Sequence, residues 1–135
     1  MSTMVVELEF RCDICNRTVA DKAGCIIVRY EDLSEWHHQD DEWKAEHPGP
    51  TYTAAEIYTR PDPAPWRIQH DACADDGVQG YEINVDEVRT WQALLCWTAK
   101  LMDRTWLPLT DWHLFVGQAA GGRGERVVPV RGDAA

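Results

Sequence analysis

The stretches Cys12-Asp-Ile-Cys15 and His70-Asp-Ala-Cys73 decide the fold that this sequence predicts. In each stretch two residues separate a pair of metal-binding side chains, a spacing at which one tight turn directs both toward the same ion. Three cysteines and one histidine form a tetrahedral ligand set that is typical of structural zinc. The sequence therefore predicts one structural Zn²⁺ ion per chain, held by Cys12, Cys15, His70 and Cys73.

The same two pairs allow other interpretations at this stage. Cys12 and Cys15 also fit a redox dithiol or two small buried side chains, and His70 with Cys73 fits a hydrogen-bonded histidine beside a free thiol. The pairs are separated by 54 residues, far more than the loop of a compact zinc finger, so they can meet only through the tertiary fold. Because four protein ligands leave no coordination position for water, an ion held in this way stabilises the fold and does not catalyse a reaction.

Alternating apolar and polar residues predict a strand directly before each ligand pair. Val6 to Phe10 leads into the first pair, and Trp66 to Gln69 leads into the second. Residues of high β-propensity predict a further strand from Gly24 to Tyr30, in which Cys25 belongs to the core. A short strand from Tyr81 to Val85 completes a small antiparallel sheet.

Two helices are predicted after this sheet. Apolar residues recur at helical spacing between Asp86 and Asp103, which makes this segment the strongest amphipathic helix of the chain. Thr110 is a favourable N-cap for a second helix that runs to about Ala120. Residues 121–135 follow a glycine-rich break and are predicted to form a flexible tail. Three tryptophans suit the packing of the two helices: Trp91, Trp106 and Trp112.

The segment from residue 31 to residue 65 is an acidic, proline-rich excursion from this domain. Ser34 as N-cap and the prolines after His47 predict a short polar helix from Leu33 to His47. We expect an irregular path over residues 48–65, within which Ala54 to Thr59 could form another strand.

Three tryptophans lie in polar or proline-rich surroundings and not in a helical apolar stripe: Trp36, Trp43 and Trp66. Tryptophan is enriched both in protein cores and in the contact residues of interfaces. We therefore predict that these three side chains form an exposed partner-binding surface, with docking of the excursion onto the core as the alternative.

A cysteine knuckle followed by strands, with a second ligand pair at a strand end, resembles the treble-clef and zinc-ribbon groups of zinc-binding proteins. The resemblance covers residues 12–15 and 66–76. The whole chain is also similar to a group of short proteins of actinobacteria and their phages, which has no assigned activity. That similarity implies a provenance and a zinc site and no mechanism. In the C-terminal part of the chain, the similarity rests on Arg89-Thr90-Trp91, Trp97-Thr98, Trp106-Leu107 and Thr110-Asp111-Trp112.

These features predict an α+β protein with a small antiparallel sheet, a treble-clef-like zinc site and two C-terminal helices. A chain of 135 residues fits one domain, which we place at residues 1–120. Five cysteines, an odd number, fit a metal site and buried thiols in a reducing compartment better than a disulfide framework. The sequence shows no apolar run of membrane-spanning length and no signal-peptide pattern, so we expect a cytoplasmic protein.

The formal net charge of −10 opposes contact with a phosphate backbone. Together with the closed ligand set, the lack of a catalytic constellation and the surplus of tryptophan, this charge leads us to expect a non-enzymatic module that binds another protein, for example a phage accessory protein that acts on a host protein. Mimicry of DNA by its acidic surface is one variant. The competing hypothesis is a nucleic-acid-associated regulator that uses the zinc region and the tail arginines, Arg123, Arg126 and Arg131.

A metal-dependent nuclease is the third hypothesis. Residues 37–42 carry side chains that could bind a catalytic cation, and His47 and His113 are candidate general bases. We favour a solvated polar helix for this segment, because no matching motif is identifiable elsewhere in the sequence. No catalytic residue is therefore assigned. The donors in question are His37, His38, Asp40, Asp41 and Glu42.

Overall fold

The computed structural model describes residues 6–75, 77–121 and 126–131, which form an α+β fold with two small antiparallel sheets. Short 3₁₀ turns follow β3, β4 and Trp106. In chain order the strands and helices are β1 (Val6–Phe10), β2 (Gly24–Arg29), α1 (Tyr30–Glu46), α2 (Ala54–Ile57), β3 (Trp66–His70), β4 (Gly80–Asn84), α3 (Trp91–Leu101), α4 (Trp112–Ala119) and β5 (Val127–Arg131).

The larger sheet has the strand order β3-β2-β4, and both pairings are antiparallel. Strand β2 lies in the centre and is buried from Gly24 to Val28, as expected for its β-branched sequence. Cys25 is buried in this strand, which confirms its prediction as a core residue. The register places Gly24 opposite His70, so β2 positions the strand that carries the second ligand pair.

The second sheet pairs β1 with β5, in register from Phe10 opposite Val127 to Val6 opposite Arg131. The prediction of one sheet is therefore wrong, because the described residues form two. The prediction of a flexible tail from residue 121 is also wrong for Val127–Arg131, because this strand pairs with β1. Its β-branched valines favour a strand, but β1 is more than 110 residues away in the sequence. Arg123 lies outside the described residues.

Aromatic side chains from β3 and the C-terminal half form the centre of the core. Trp66 is 0% exposed, and its indole N–H donates to Thr110 Oγ1 at 3.0 Å. Its ring packs against Trp106 and, edge to face, against Trp112. The prediction that Trp66 belongs to an exposed partner-binding surface is therefore wrong, because this first residue of β3 turns its ring into the core.

The excursion packs on itself around Trp43, which is only 5% exposed. Its indole N–H donates to Thr59 Oγ1 at 2.8 Å, and the Arg60 guanidinium lies over its ring at 5.3 Å. Trp36 is half-buried and lies under the same guanidinium at 6.0 Å. Trp43 is thus covered by other residues of the excursion and not by docking onto the core, and the three tryptophans do not form one exposed surface.

Helix α1 begins at Tyr30, directly after β2, and not near Ser34, so that the chain leaves the sheet already helical. The strand considered for Ala54 to Thr59 is wrong, since residues 54–57 form a helical turn. Thr53 and Glu56 form a capping box, in which each side chain accepts the backbone N–H of the other. This local hydrogen bonding favours helix over strand.

The C-terminal helices are confirmed with shifted starts. Helix α3 begins after Thr90, whose hydroxyl accepts the Ala93 N–H at 3.1 Å, and residues 85–88 form a 3₁₀ turn. Helix α4 begins after Asp111 and not after Thr110, although the Thr110 hydroxyl accepts the backbone N–H of Trp112 at 3.4 Å as well as the indole N–H of Trp66 at 3.0 Å. Within the described ranges, no helix combines the length and the apolar character that crossing a membrane requires.

Candidate metal centre

Four side-chain donors from two distant segments converge at one point of the structure. The ligand atoms of Cys12, Cys15, His70 and Cys73 all lie within 4.8 Å of one another. The Nδ1 atom of His70 is 3.2 Å from Cys15 Sγ and 3.9 Å from Cys73 Sγ. In a tetrahedral zinc site, bond lengths place neighbouring ligand atoms about 3.5 to 3.8 Å apart. The predicted ligand set is therefore assembled at a separation that suits one metal ion.

Asp13 joins the cysteine knuckle to the strand that carries the histidine. Its N–H donates to Ile68 O at 2.8 Å, and its carboxylate Oδ2 accepts the Ile68 N–H at 2.8 Å. Both backbone groups of Ile68, two residues before His70, are thus paired with one knuckle residue. We call this set of contacts the Asp13 clamp. It explains how ligand pairs 54 residues apart in the sequence meet in the fold.

Arg126 holds the Asp13 clamp from the C-terminal side. Its guanidinium contacts the Asp13 carboxylate through Nε at 2.8 Å and Nη2 at 3.0 Å, and also donates to the carbonyl of Trp66. Arg126 O accepts the Arg11 N–H at 2.8 Å, one residue before the knuckle. Sequence reasoning missed this role and grouped Arg126 with a basic tail. No spacing signal identifies partners that are 113 residues apart.

The ring of His70 is held in the orientation that metal binding requires. Its Nε2 is 3.1 Å from the carbonyl of Thr18, which can only accept a hydrogen bond. Nε2 therefore carries the proton, and Nδ1 keeps its lone pair toward the cysteine sulfurs. A second hydrogen bond of this kind is usual for metal-binding histidines, because it orients the ring and raises its basicity.

The surroundings of the sulfur atoms differ in their effect on ionisation. Burial raises the pKa of Cys12, but the backbone N–H groups of Cys15, His70 and Ile14 outweigh burial and lower that pKa to about 6. For Cys73, desolvation and the neighbouring sulfurs of Cys15 and Cys12 raise the pKa to about 11. A cation bound by the sulfurs would remove this difference between the two pKa values, because every thiol that coordinates a metal ion loses its proton. The electrostatics therefore favour a bound cation.

The histidine and acidic residues of α1 do not form a second metal site. Asp40 points inward, to Arg60 Nη2 at 2.8 Å and Lys44 Nζ at 3.2 Å. His38 instead contacts Glu42 at 3.1 Å on the exposed face of the helix. In the part of the chain that the structure describes, the Cys12 set is the only group of three or more such donors close enough to hold an ion. Asp40 is thus a buried ion-pair residue and not part of a solvated charge run.

Comparison of the chain with protein-family models, with curated proteins and with solved structures finds no match.

Proposed function

We propose that the chain is a zinc-stabilised, non-enzymatic module that binds another protein. The observation that carries the proposal is the convergence of three thiols and one imidazole within 4.8 Å, with the imidazole tautomer oriented by Thr18. Thiolate-rich sets prefer zinc to harder cations such as magnesium or calcium. Because all four positions of a tetrahedral ion are filled by protein, the ion has a structural role.

The geometry also supports a treble-clef-like arrangement as part of this proposal. The first ligand pair lies in the turn that follows β1, and the second begins at the last residue of β3. Residues 71–73 form a 3₁₀ turn, which brings Cys73 to the same side as His70. A knuckle facing a strand end that turns into a helical segment is the arrangement that the sequence resemblance implies.

Charge favours a protein partner over nucleic acid. The chain carries 23 acidic and 13 basic side chains, so a phosphate backbone would be repelled at long range. Of the three arginines considered for nucleic-acid contact, Arg126 is occupied by Asp13 and Trp66. Its charge is therefore already paired with a carboxylate.

A groove between α3 and α4 offers an apolar contact surface for such a partner. Its volume is about 480 Å³, and Met102, which is 72% exposed, lies at its edge with Leu107 and Val116. The hydroxyls of Thr98 and Thr110 line the groove but donate to Leu94 O and Leu107 O and accept tryptophan N–H groups. The groove therefore suits apolar side chains, and the net charge favours a partner segment that is also basic.

Metal analysis of the purified full chain tests the zinc part of the proposal. We expect about one zinc per chain and almost none in the Cys12→Ser and His70→Ala variants. The matched control is Cys96→Ser, an exposed cysteine on α3 outside the ligand set, which should keep its zinc. A folded protein that contains no zinc would contradict the proposal.

Capture of a partner from the source cells tests the binding part. We expect a protein retained by the wild type and by Tyr58→Asp, an exposed position outside the groove, but not by Met102→Asp. Retention that does not depend on Met102 would reject the groove as the contact surface. A DNA or RNA complex that weakens steeply with salt would instead favour the nucleic-acid regulator, and cleavage with added Mg²⁺ or Mn²⁺ would favour a nuclease.

A further inference from the structure

The three sulfur atoms of the proposed zinc site differ in accessibility. Cys12 is 1% exposed, whereas Cys15 is exposed and Cys73 is partly exposed. An oxidant or electrophile from solvent must reach a thiolate before it can react. Accessibility alone therefore separates Cys15 and Cys73 from Cys12.

The hydrogen bonds to the three sulfurs differ in the same direction. Cys12 Sγ accepts the N–H groups of Ile14 and His70, each at 3.4 Å. Within the described ranges, Cys15 and Cys73 have no such backbone bond, and both sulfurs contact the ring of His70. With zinc bound, all three sulfurs would be thiolates, so their reactivity would differ through nucleophilicity, which falls when a hydrogen bond stabilises the thiolate. Cys15 is thus the most exposed of the three cysteines and lacks the backbone donors that Cys12 has.

We propose that Cys15 is the oxidation site of this protein and that Cys73 resolves it as a disulfide, which releases the zinc ion. This inference rests on the proposed zinc site and adds regulation to it. The oxidant is a hydroperoxide, such as hydrogen peroxide. Cys12, which is buried and bonded to two N–H groups, stays reduced.

The disulfide between Cys15 and Cys73 would form in two steps. The Cys15 thiolate attacks one oxygen of hydrogen peroxide, the O–O bond breaks, hydroxide leaves and Cys15 becomes a sulfenic acid. The Cys73 thiolate then attacks the sulfenic sulfur, forms the S–S bond and expels a second hydroxide. The two sulfurs lose two electrons in total, and the peroxide gains them. The disulfide would remove two of the four donors, so that only Cys12 and His70 would remain to hold an ion.

The proximity of the two sulfurs supports this pairing. The ligand atoms of Cys15 and Cys73 lie within 4.8 Å, and the two residues come from different segments. Neither residue is buried, and a bond between them would have to close a separation of at most 4.8 Å. A bond from Cys15 to Cys12 would require the buried sulfur to leave its two N–H donors.

The test uses the zinc-loaded full chain carrying Cys96→Ser, which removes the exposed thiol outside the site. Zinc content is measured first; hydrogen peroxide is then added, release is followed with a chromophoric chelator, and disulfides are mapped by mass spectrometry without reduction. We expect one Cys15–Cys73 disulfide for each zinc released, and reversal by dithiothreitol with zinc. With limiting iodoacetamide and no peroxide, Cys15 should be alkylated about tenfold faster than Cys12.

The failure of each proposal gives a different result. Absence of zinc before treatment would overturn the proposed zinc site and the release step together. Zinc that stays bound during oxidation, or release with a Cys12–Cys15 disulfide, would overturn the oxidation route and leave the zinc site intact. Faster alkylation of Cys12 than of Cys15 would also overturn it.

Discussion

The candidate metal centre and the α1–α2 segment both carry histidines and charged residues, but the fold uses them differently. At the metal centre, two short pairs that are distant in the sequence converge on one point through the Asp13 clamp. In α1, five potential metal ligands are neighbours in the sequence but do not converge. Asp40 faces inward and contacts Arg60, whereas His38 and Glu42 lie on the surface. Close spacing in the sequence is thus a poorer guide to a site than ligand chemistry combined with long-range contacts that bring the ligands together.

Of the changes considered, removal of zinc should have the largest effect on the stability of the protein. Structural zinc in small domains contributes about 10–16 kcal/mol of binding free energy, which matches or exceeds the net stability of about 5–15 kcal/mol of a typical domain. We therefore expect a strong chelator to abolish cooperative thermal unfolding, followed by tryptophan fluorescence. Excess zinc should restore the transition and magnesium should not. An unchanged transition after complete metal removal would show that the core holds the fold without the ion.

Loss of the Asp13 clamp should have the second-largest effect. Asp13→Ala leaves the Ile68 N–H without its acceptor and the Arg126 guanidinium without its carboxylate partner. We expect a loss of about 3 kcal/mol in the free energy of unfolding, and zinc affinity about tenfold to a hundredfold lower, as for other residues that orient metal ligands. Urea unfolding and competition with a chelator measure the two quantities.

Two variants calibrate that result. Asp13→Asn keeps an oxygen acceptor for Ile68 but loses the charge opposite Arg126, so its effect should be intermediate. Asp21→Ala breaks an arginine pair with an exposed carboxylate and should change zinc affinity little. Equal effects of Asp13→Ala and Asp21→Ala would contradict a specific role of the clamp.

The buried Asp40 should make the α1–α2 segment sensitive to acid. Burial raises the pKa of this carboxyl, but Arg60 and Lys44 outweigh burial and lower it below its ordinary value. A lowered native pKa contributes stability above the unfolded-state value, near pH 4, and this contribution is lost as the pH falls through the native pKa. We expect Asp40→Asn to cost about 1–2 kcal/mol at pH 7.

Urea unfolding between pH 7 and pH 3 measures this contribution. The free energy of unfolding of the wild type should exceed that of Asp40→Asn at pH 7, and this difference should disappear as the pH falls below about 4. A difference between the two proteins that does not change with pH would contradict a charged Asp40.

The smallest effect is expected on the outer face of α1. His38 and Glu42 are mainly exposed, so removal of either side chain should change the free energy of unfolding by at most about 0.5 kcal/mol. Zinc content should not change in His38→Ala. A loss of zinc in that variant would mean that the α1 donors take part in metal binding.

Local patterns predicted much of the framework. The alternation before Cys12 and before His70 predicted β1 and β3, and the apolar spacing after Asp86 predicted α3. What these patterns could not predict is which face of an element the fold covers. Trp66 follows a proline-rich stretch, yet it lies at the centre of the core. Strand β5 was likewise not predicted, because its partner β1 is at the other end of the chain.

The sequence by itself determined the ligand types, their spacing and the α+β class, because turn geometry and side-chain periodicity act over a few residues. Only the tertiary structure decided that the two pairs meet, through Asp13, Ile68 and Arg126, and that Trp43 and Trp66 are covered. These outcomes depend on burial and on hydrogen bonds between segments far apart in the chain, and such contacts leave no periodic signal in the sequence.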